Sequence, residues 1–371
     1  MDKKVFWCKN CVAMSTRPRV SFDENGFCSA CQWSEKKKNL DWESRISELE
    51  VLLAKHRSDS KAFDCLVPVS GGKDGSYVAY NLKHKYGMNP LCVTVTPPLS
   101  LPLGDENLRS FVQSGYDHIS INPNFSAMQK LNKIGFADMG FPYYGWLIAI
   151  HTAVAHVAAN FDISLIFYGE DGEVEYGGST ETSLNPIYDI EYQKRIYLEG
   201  GYSRVIQNAQ LPKKALGFFE FPDQSNKNVS QIELTHWSYF ENWDPYRNYL
   251  VAKEHCGLRE SDLSNPGTFT NFAQNDQALY SLHAYLMYLK FGFGRANQDA
   301  CIEVRRGAME RSQAVNLVRL YDGNFPEEFE TLYLEYYELN KSEFMEILDK
   351  HVNKDLFEKV QDCWTPKFTV S

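Results

Sequence analysis

The run Ser70-Gly71-Gly72-Lys73-Asp74-Gly75-Ser76 follows directly on an apolar stretch from Phe63 to Val69. A buried strand that stops at paired glycines and then enters a polar, helix-compatible segment forms a cradle for phosphate. Glycine tolerates positive φ and lets backbone N–H groups come close to an anion. Lys73 supplies a mobile cation. Asp74 would repel a bare phosphate, so its presence points to a phosphate that carries Mg²⁺. The run is not a Walker loop. That pattern needs glycine where this chain has Val67, and Ser or Thr where it has Asp74. The plainer alternative is an ordinary Gly-Gly turn before a surface helix.

From residue 62 onward, strand and helix patterns alternate. Residues 63–69, 91–96, 118–121 and 163–168 read as strands, and 74–86, 105–114 and 145–160 as helices. Alternation of this kind predicts an α/β fold, a parallel sheet with helices on both faces. Ligands in such sheets bind beyond the carboxyl ends of the strands. Residues 70–76, Thr96 and Gly169–Glu173 would lie on that edge. Residues 174–230, rich in Gly, Asn and Tyr, read as an irregular active-site excursion. A strand at 232–240 and a helix at 244–256 follow. Apolar spacing predicts a helix over 34–57, and further helices over 276–291, 311–321 and 327–338. Asn340 with Glu343 forms a capping pair that opens a last helix reaching about residue 350. The expected units are residues 1–33, a linker helix 34–60, a nucleotide domain 61–260, and a mostly helical region 261–371 that meets substrate or partner.

The spacing Cys8-x₂-Cys11-x₁₆-Cys28-x₂-Cys31 is a metal signature. Two such knuckles supply four thiolates, which close a tetrahedral Zn²⁺ site. The expected product is a structural ribbon that docks on the catalytic domain or on a partner. A redox pair or plain buried thiols are the alternatives. A net charge of −10 over 371 residues argues against a nucleic-acid partner, which needs a basic face. The longest apolar stretch, 146–159, is broken by His151 and His156 and is too short to span a membrane. The first eight residues show no apolar core of signal-peptide length, so a cytoplasmic location with reduced thiols is expected.

Two more clusters carry chemistry. Gly169-Glu170-Asp171-Gly172-Glu173 follows an apolar strand and is placed to hold Mg²⁺ or an incoming nucleophile. Lys290, Arg295, Asp299, Arg305 and Arg306 surround Phe291-Gly292-Phe293-Gly294. That Gly-x-Gly follows a helix and lacks a third glycine, so it is no dinucleotide fingerprint. Arginines there suit a carboxylate or pyrophosphate. A solvated acidic loop and a salt-bridged helix face are the plainer readings.

The glycine loop resembles that of the PP-loop ATP pyrophosphatases, which cleave ATP between its α and β phosphates. Gly75 stands where most of that superfamily has Ser, and Ser76 comes one place later. Together with the cysteine ribbon, Tyr168-Gly169-Glu170, Glu175-Tyr176-Gly177-Gly178, Trp243-Asp244-Pro245 and Phe291-Gly292-Phe293-Gly294-Arg295, the chain resembles the N-acetyl sugar amidotransferase family of bacterial surface-polysaccharide and flagellin-glycan pathways. The resemblance implies an adenine nucleotide alpha hydrolase-like (HUP) domain. It implies that an acetamido group on a sugar acid becomes acetamidino through an adenylated intermediate and ammonia. The acid would be a nucleotide-linked diacetamido uronic acid or a pseudaminic- or legionaminic-type acid.

On this reading Ser70, Gly71, Gly72, Lys73, Asp74, Gly75 and Ser76 hold ATP and Mg²⁺, with Val95, Thr96 and Gly169 beside the nucleotide. Lys73, Asp74, Glu170, Asp171 and Arg295 are the catalytic set. Lys290, Arg295, Asp299 and Arg305 face the sugar acid. The implied partners are a glutaminase subunit (HisH-like) and a cyclase-like subunit (HisF-like). The chain shows no glutaminase signature of its own: Asp2 follows Met1, and no Gly-x-Cys-x-Gly elbow occurs. A tRNA-modifying PP-loop enzyme, of thiolation or lysidine type, is the runner-up. A scaffold with a regulatory nucleotide site is a third reading.

Overall fold

The computed structural model describes residues 5–361 and 363–371; Asp2, weighed above as a neighbour of a possible N-terminal nucleophile, lies outside them. Six strands form the main sheet among the described residues: β1 (Cys65–Pro68), β2 (Pro90–Val95), β3 (His118–Ile121), β4 (Leu165–Tyr168), β5 (Ile187–Tyr188) and β6 (Glu233–His236). Their order is β3-β2-β1-β4-β6-β5. All neighbours are parallel except β5, which runs antiparallel along β6 at the edge.

The central strands are apolar on both faces because both faces are covered. Leu66, Leu91, Val93 and Ile166 point into one core with Ala153 and Val154 of the helix Tyr144–Asn160. Cys65, Val67, Cys92 and Phe167 point into the other with Tyr77, Val78 and Trp237. This is the period-two alternation of a strand, here apolar at both phases. After β3 the chain crosses back over β1 to β4. The sheet therefore has its switch point between β1 and β4, where a crevice opens beyond their carboxyl ends.

Several expectations change in the structure. The helix expected at 34–57 is two helices, Ser29–Lys37 and Trp42–His56. The second starts where Asp41 Oδ1 accepts the Ser44 N–H at 2.9 Å. The helix expected at 105–114 begins at Pro102, a residue preorganised for a first turn. The supposedly irregular 174–230 contains the helix Tyr202–Ala209, several short turns and strand β5. Val205 and Ala209 bury one face of that helix, a signal hidden by the polar residues around it. The strand expected at 232–240 stops at His236, and Trp237–Phe240 turns helical. The helix Phe125–Ile134 and an antiparallel hairpin of β7 (Phe357–Val360) and β8 (Cys363–Pro366) have no counterpart in the sequence reading, whereas Arg295–Arg305 is a salt-bridged helix, the plainer reading of that cluster.

The C-terminal region is otherwise helical as expected: Leu279–Phe291, Arg311–Tyr321, Glu330–Tyr337 and Lys341–Lys350. Asn340 and Glu343 make the reciprocal capping box, with each side chain accepting the other's backbone N–H at 2.9–3.0 Å. The cysteine ribbon docks on this region. Arg311 Nε donates to the carbonyls of Cys8 and Cys11 at 3.1 and 3.0 Å, and Asn297 Nδ2 donates to that of Val12 at 2.7 Å. No helix among the described residues is long and apolar enough to cross a membrane.

Candidate functional site

The glycine loop leaves β1 at Val69 and enters the helix Lys73–Tyr80 with Gly72 as N-cap. Gly71 has φ +79°, and a Cβ there would lie 2.3 Å from the Leu108 nitrogen, so both conformation and space demand glycine. Gly75 is held for another reason. A Cβ on it would meet the Pro68 carbonyl oxygen at 2.8 Å, because this helix presses against the end of β1. The Ser usual in the resembled loops has no room here.

Two chambers meet at this loop. A polar trough of about 290 Å³ is lined by Ser70, Gly72, Lys73, Asp74, Glu170 and Arg295, and is closed by Gln274–Asp276 and Tyr280 of the C-terminal region. An apolar slot of about 190 Å³ lies beside it, walled by Val69, Val93, Val95, Trp146, Ile150 and Tyr168. Ser70, Gly104, Asp276 and Tyr280 line both, so slot and trough are continuous. A flat apolar slot leading into a glycine-floored polar trough has the shape and polarity of a nucleotide site.

Lys73 Nζ pairs with the neighbouring Asp74 carboxylate. The other oxygen of Asp74 accepts a hydrogen bond from buried Asn248 Nδ2 at 3.3 Å. Gly169 brings β4 against this pair: a Cβ there would sit 3.1 Å from Asp74 Cβ and 3.3 Å from the Trp243 ring. Glu170 follows. Burial, then the Asp74 charge, pushes its carboxyl up to about 7, against the pull of Lys73 and Arg295. The Tyr176 hydroxyl donates to Glu170 Oε1 at 3.4 Å. Arg295 closes the trough and pairs with Asp299 at 2.8 Å. Burial opposes its charge, but Asp299, Tyr176, Glu170 and Asp74 outweigh it and hold the guanidinium well above its ordinary value. Asp299 is buried and accepts from Thr268 Oγ1 at 2.6 Å, so it positions Arg295.

Other expected residues lie elsewhere. Asp171 turns away from the trough. It caps the helix Gly172–Tyr176 through the Glu173 N–H and accepts from Tyr197 at 3.1 Å and from Thr182. Burial raises it to about 7 without giving it access to a nucleotide. Lys290 is also remote: its Nζ donates to the Met139 carbonyl at 2.8 Å, and burial lowers its pKa. Ser76 is fully buried on the inner face of its helix. Thr96 is tied to β3 through Ser120 Oγ and the Ile121 carbonyl, and leaves the slot to Val95. Arg305 gives its Nη2 to the Glu175 carbonyl at 3.1 Å and faces a second chamber that also includes Glu170. Sequence reasoning missed Asn248, Trp146, Asp276 and Tyr280. Each is ordinary in its own stretch and meets the loop only through tertiary packing.

The four ribbon sulfurs are buried and lie within 4.8 Å of one another, with Cys11–Cys28 at 3.6 Å and Cys8–Cys31 at 3.8 Å. Thiolates around a single tetrahedral ion at about 2.3 Å would be roughly 3.8 Å apart, so the donor set fits one such ion. An iron–sulfur cube, whose irons each take one thiolate, needs a wider spacing. The ribbon also braces the loop that carries Glu170. Ser29 Oγ donates to the Gly177 carbonyl at 2.5 Å, Lys37 pairs with Glu175 at 2.8 Å, and Arg19 pairs with Glu173 at 2.7 Å.

Fold and loop together define a mainly parallel-sheet α/β protein with a glycine-loop cradle at its switch point. Its residues 266–369, less than half of the chain, match the family described as "LPS biosynthesis protein WbpG-like, C-terminal domain", which supports the sugar amidotransferase resemblance read from the sequence. This domain supplies Asn275, Asp276, Tyr280 and Arg295 to the trough. An uncharacterized protein of Methanocaldococcus jannaschii, MJ1599, is 30% identical over 89 residues, which are 24% of this chain and 32% of that protein. The chain thus spans about a third of the length of the curated relative it matches. Among solved structures, the U34-tRNA thiolase NcsA from Methanococcus maripaludis, with its 4Fe-4S cluster, aligns over 72% of this chain and 79% of its own at 13% identity and a TM-score of 0.31.

Proposed function

We propose that the protein is an ATP-dependent, AMP- and pyrophosphate-forming N-acetyl sugar amidotransferase, which turns an acetamido group of a sugar acid into an acetamidino group. The observation that carries this is the apolar slot running into a glycine-floored trough, with Glu170 and Arg295 at its far end. Adenine fits the apolar slot walled by Val93, Val95, Trp146, Ile150 and Tyr168. The backbone at Gly71 and Gly72, the start of the helix Lys73–Tyr80 and Lys73 face the β and γ phosphates. Asp74, steadied by Asn248, would hold Mg²⁺, which neutralises phosphate charge when bound.

The acetamido oxygen attacks the α-phosphorus, the bond from that phosphorus to the bridging oxygen breaks, and pyrophosphate leaves. Arg295 lies where charge accumulates on the acceptor side. Ammonia then adds to the imidoyl carbon, its C–O bond breaks and AMP departs, leaving the amidine. Glu170, titrating near 7, takes the surplus proton from the nitrogen. Catalysis is mostly positioning and charge neutralisation. A glutaminase with a cyclase-like subunit would supply the ammonia, and Zn²⁺ would occupy the ribbon. The tRNA-thiolation reading lacks support at the site, since no cysteine is among the residues lining trough or slot.

Mass spectrometry of acidic N-acetyl sugars incubated with ATP, ammonium and the protein tests the proposal. The expected product is lighter by about one dalton, because O is exchanged for NH, and it forms with AMP in equal amount. ADP and orthophosphate without AMP would refute it.

A further inference from the structure

Ser70, Gly104, Asp276 and Tyr280 mark the place where the apolar slot opens into the polar trough, since each lines both. Gly104 has no side chain, and Ser70 belongs to the glycine loop. The junction is therefore furnished by Asp276 and Tyr280, at the entry to the helix Leu279–Phe291. The backbone of Asp276 is pinned there. Its carbonyl accepts the Leu101 N–H at 3.0 Å, and the Ala278 N–H donates to the Leu99 carbonyl at 2.9 Å. Gly104, in the first turn of the helix Pro102–Gln113, lets this segment close in: a Cβ on it would lie 2.4 Å from Asp276 Cα.

The carboxylate placed in this way has spare acceptor capacity. Its polar neighbours are its own backbone N–H and the Tyr280 hydroxyl, which donates to Oδ2 at 3.5 Å. Among the described residues no cation lies within ion-pair distance of it, and burial pushes its pKa up to about 6. With no cation beside it, nothing offsets its repulsion of phosphate. What it can take is a neutral donor, a hydroxyl above all. The slot also holds Asp105, but that residue is exposed, accepts from Ser100 Oγ at 3.4 Å and is not among the trough residues. A nucleoside triphosphate runs base, sugar, phosphates. With the base in the slot and the phosphates in the trough, the sugar falls at the junction. An acidic side chain on ribose hydroxyls is also how dinucleotide-binding folds hold that sugar.

We propose that Asp276 recognises the ribose of the nucleotide, accepting hydrogen bonds from its vicinal 2′ and 3′ hydroxyls, and so makes the site selective for ribonucleotides over deoxyribonucleotides. Tyr280 holds the carboxylate in line, and Gly104 admits it to the junction. The C-terminal domain then reads the sugar of the nucleotide as well as closing the trough. The proposal rests on the nucleotide reading of trough and slot.

Isothermal titration calorimetry on the full-length, metal-loaded protein with Mg²⁺ tests it, using unlabelled ATP, 2′-deoxy-ATP and 3′-deoxy-ATP. Wild type should bind ATP about tenfold more tightly than at least one deoxy analogue. Asp276→Ala should lower ATP affinity by about tenfold and bring the three nucleotides within about twofold of one another. The disfavoured analogue should bind this variant as it binds wild type, which also shows the variant to be folded. Asp276→Asn, of the same size and with one acceptor oxygen left, should recover part of the preference. Equal affinity of wild type for all three nucleotides would overturn the assignment. So would a loss in Asp276→Ala shared equally by all three, the signature of a metal ligand or a collapsed site. Absence of ATP binding to wild type would instead strike the nucleotide reading itself.

Discussion

Glu170 and Asp74 are two carboxylates set apart by their surroundings. Glu170 titrates near 7 because burial and the neighbouring charge both favour its neutral form. Its folded-state value lies above its ordinary 4.5, so the stability linked to it is complete below about pH 4.5 and is lost as pH rises through 7. Glu170→Gln should therefore raise stability at pH 8 by of order 1–3 kcal/mol. Chemical denaturation across pH 4–8 would show it, with a remaining slope from Asp171, which is shifted in the same direction. The same variant should lose the rising limb of the rate–pH profile near 7 and most of its turnover. Lys73→Ala should lower AMP formation by roughly 10²–10³-fold with little change in melting temperature, because its partner Asp74 keeps the hydrogen bond from Asn248.

At the scale of single elements, the loop and the helix that follows it tolerate little added volume. Gly71→Ala meets backbone at 2.3 Å in a left-handed conformation, and Gly75→Ser drives a side chain into the Pro68 carbonyl. Each should cost about 1–3 kcal/mol in denaturant titrations, and Gly71→Ala should also abolish binding of an ATP analogue. These elements were legible because their information is local. The strand-glycine-helix junction, β3, the helix Arg311–Tyr321 and the Asn340 capping box all announce themselves within a few residues. The helix Tyr202–Ala209 was not legible, because only two of its eight residues are buried. Asp171 and Lys290 were misplaced for a related reason. Residue type and spacing show that a carboxylate or an amine is near a loop, but not whether it turns toward the crevice or toward its own backbone.

At the scale of the whole molecule, the crevice is a joint construction of sheet, ribbon and C-terminal domain. If the four cysteines hold Zn²⁺ as proposed, Cys28→Ser should abolish metal binding, as atomic absorption would read, and lower AMP formation although no sulfur lines the trough. Its route is mechanical, through Ser29 and Lys37 on the segment bearing Glu170. Retained activity in a metal-free variant would contradict this. The contacts between Val12 and Asn297, and between Cys8 and Arg311, join positions 285 and 303 residues apart. Closures over such distances form late in folding. A molecule caught before that step would own the glycine loop while its trough still lacked Asp276, Tyr280 and Arg295, so the crevice is finished only when the entire chain has closed.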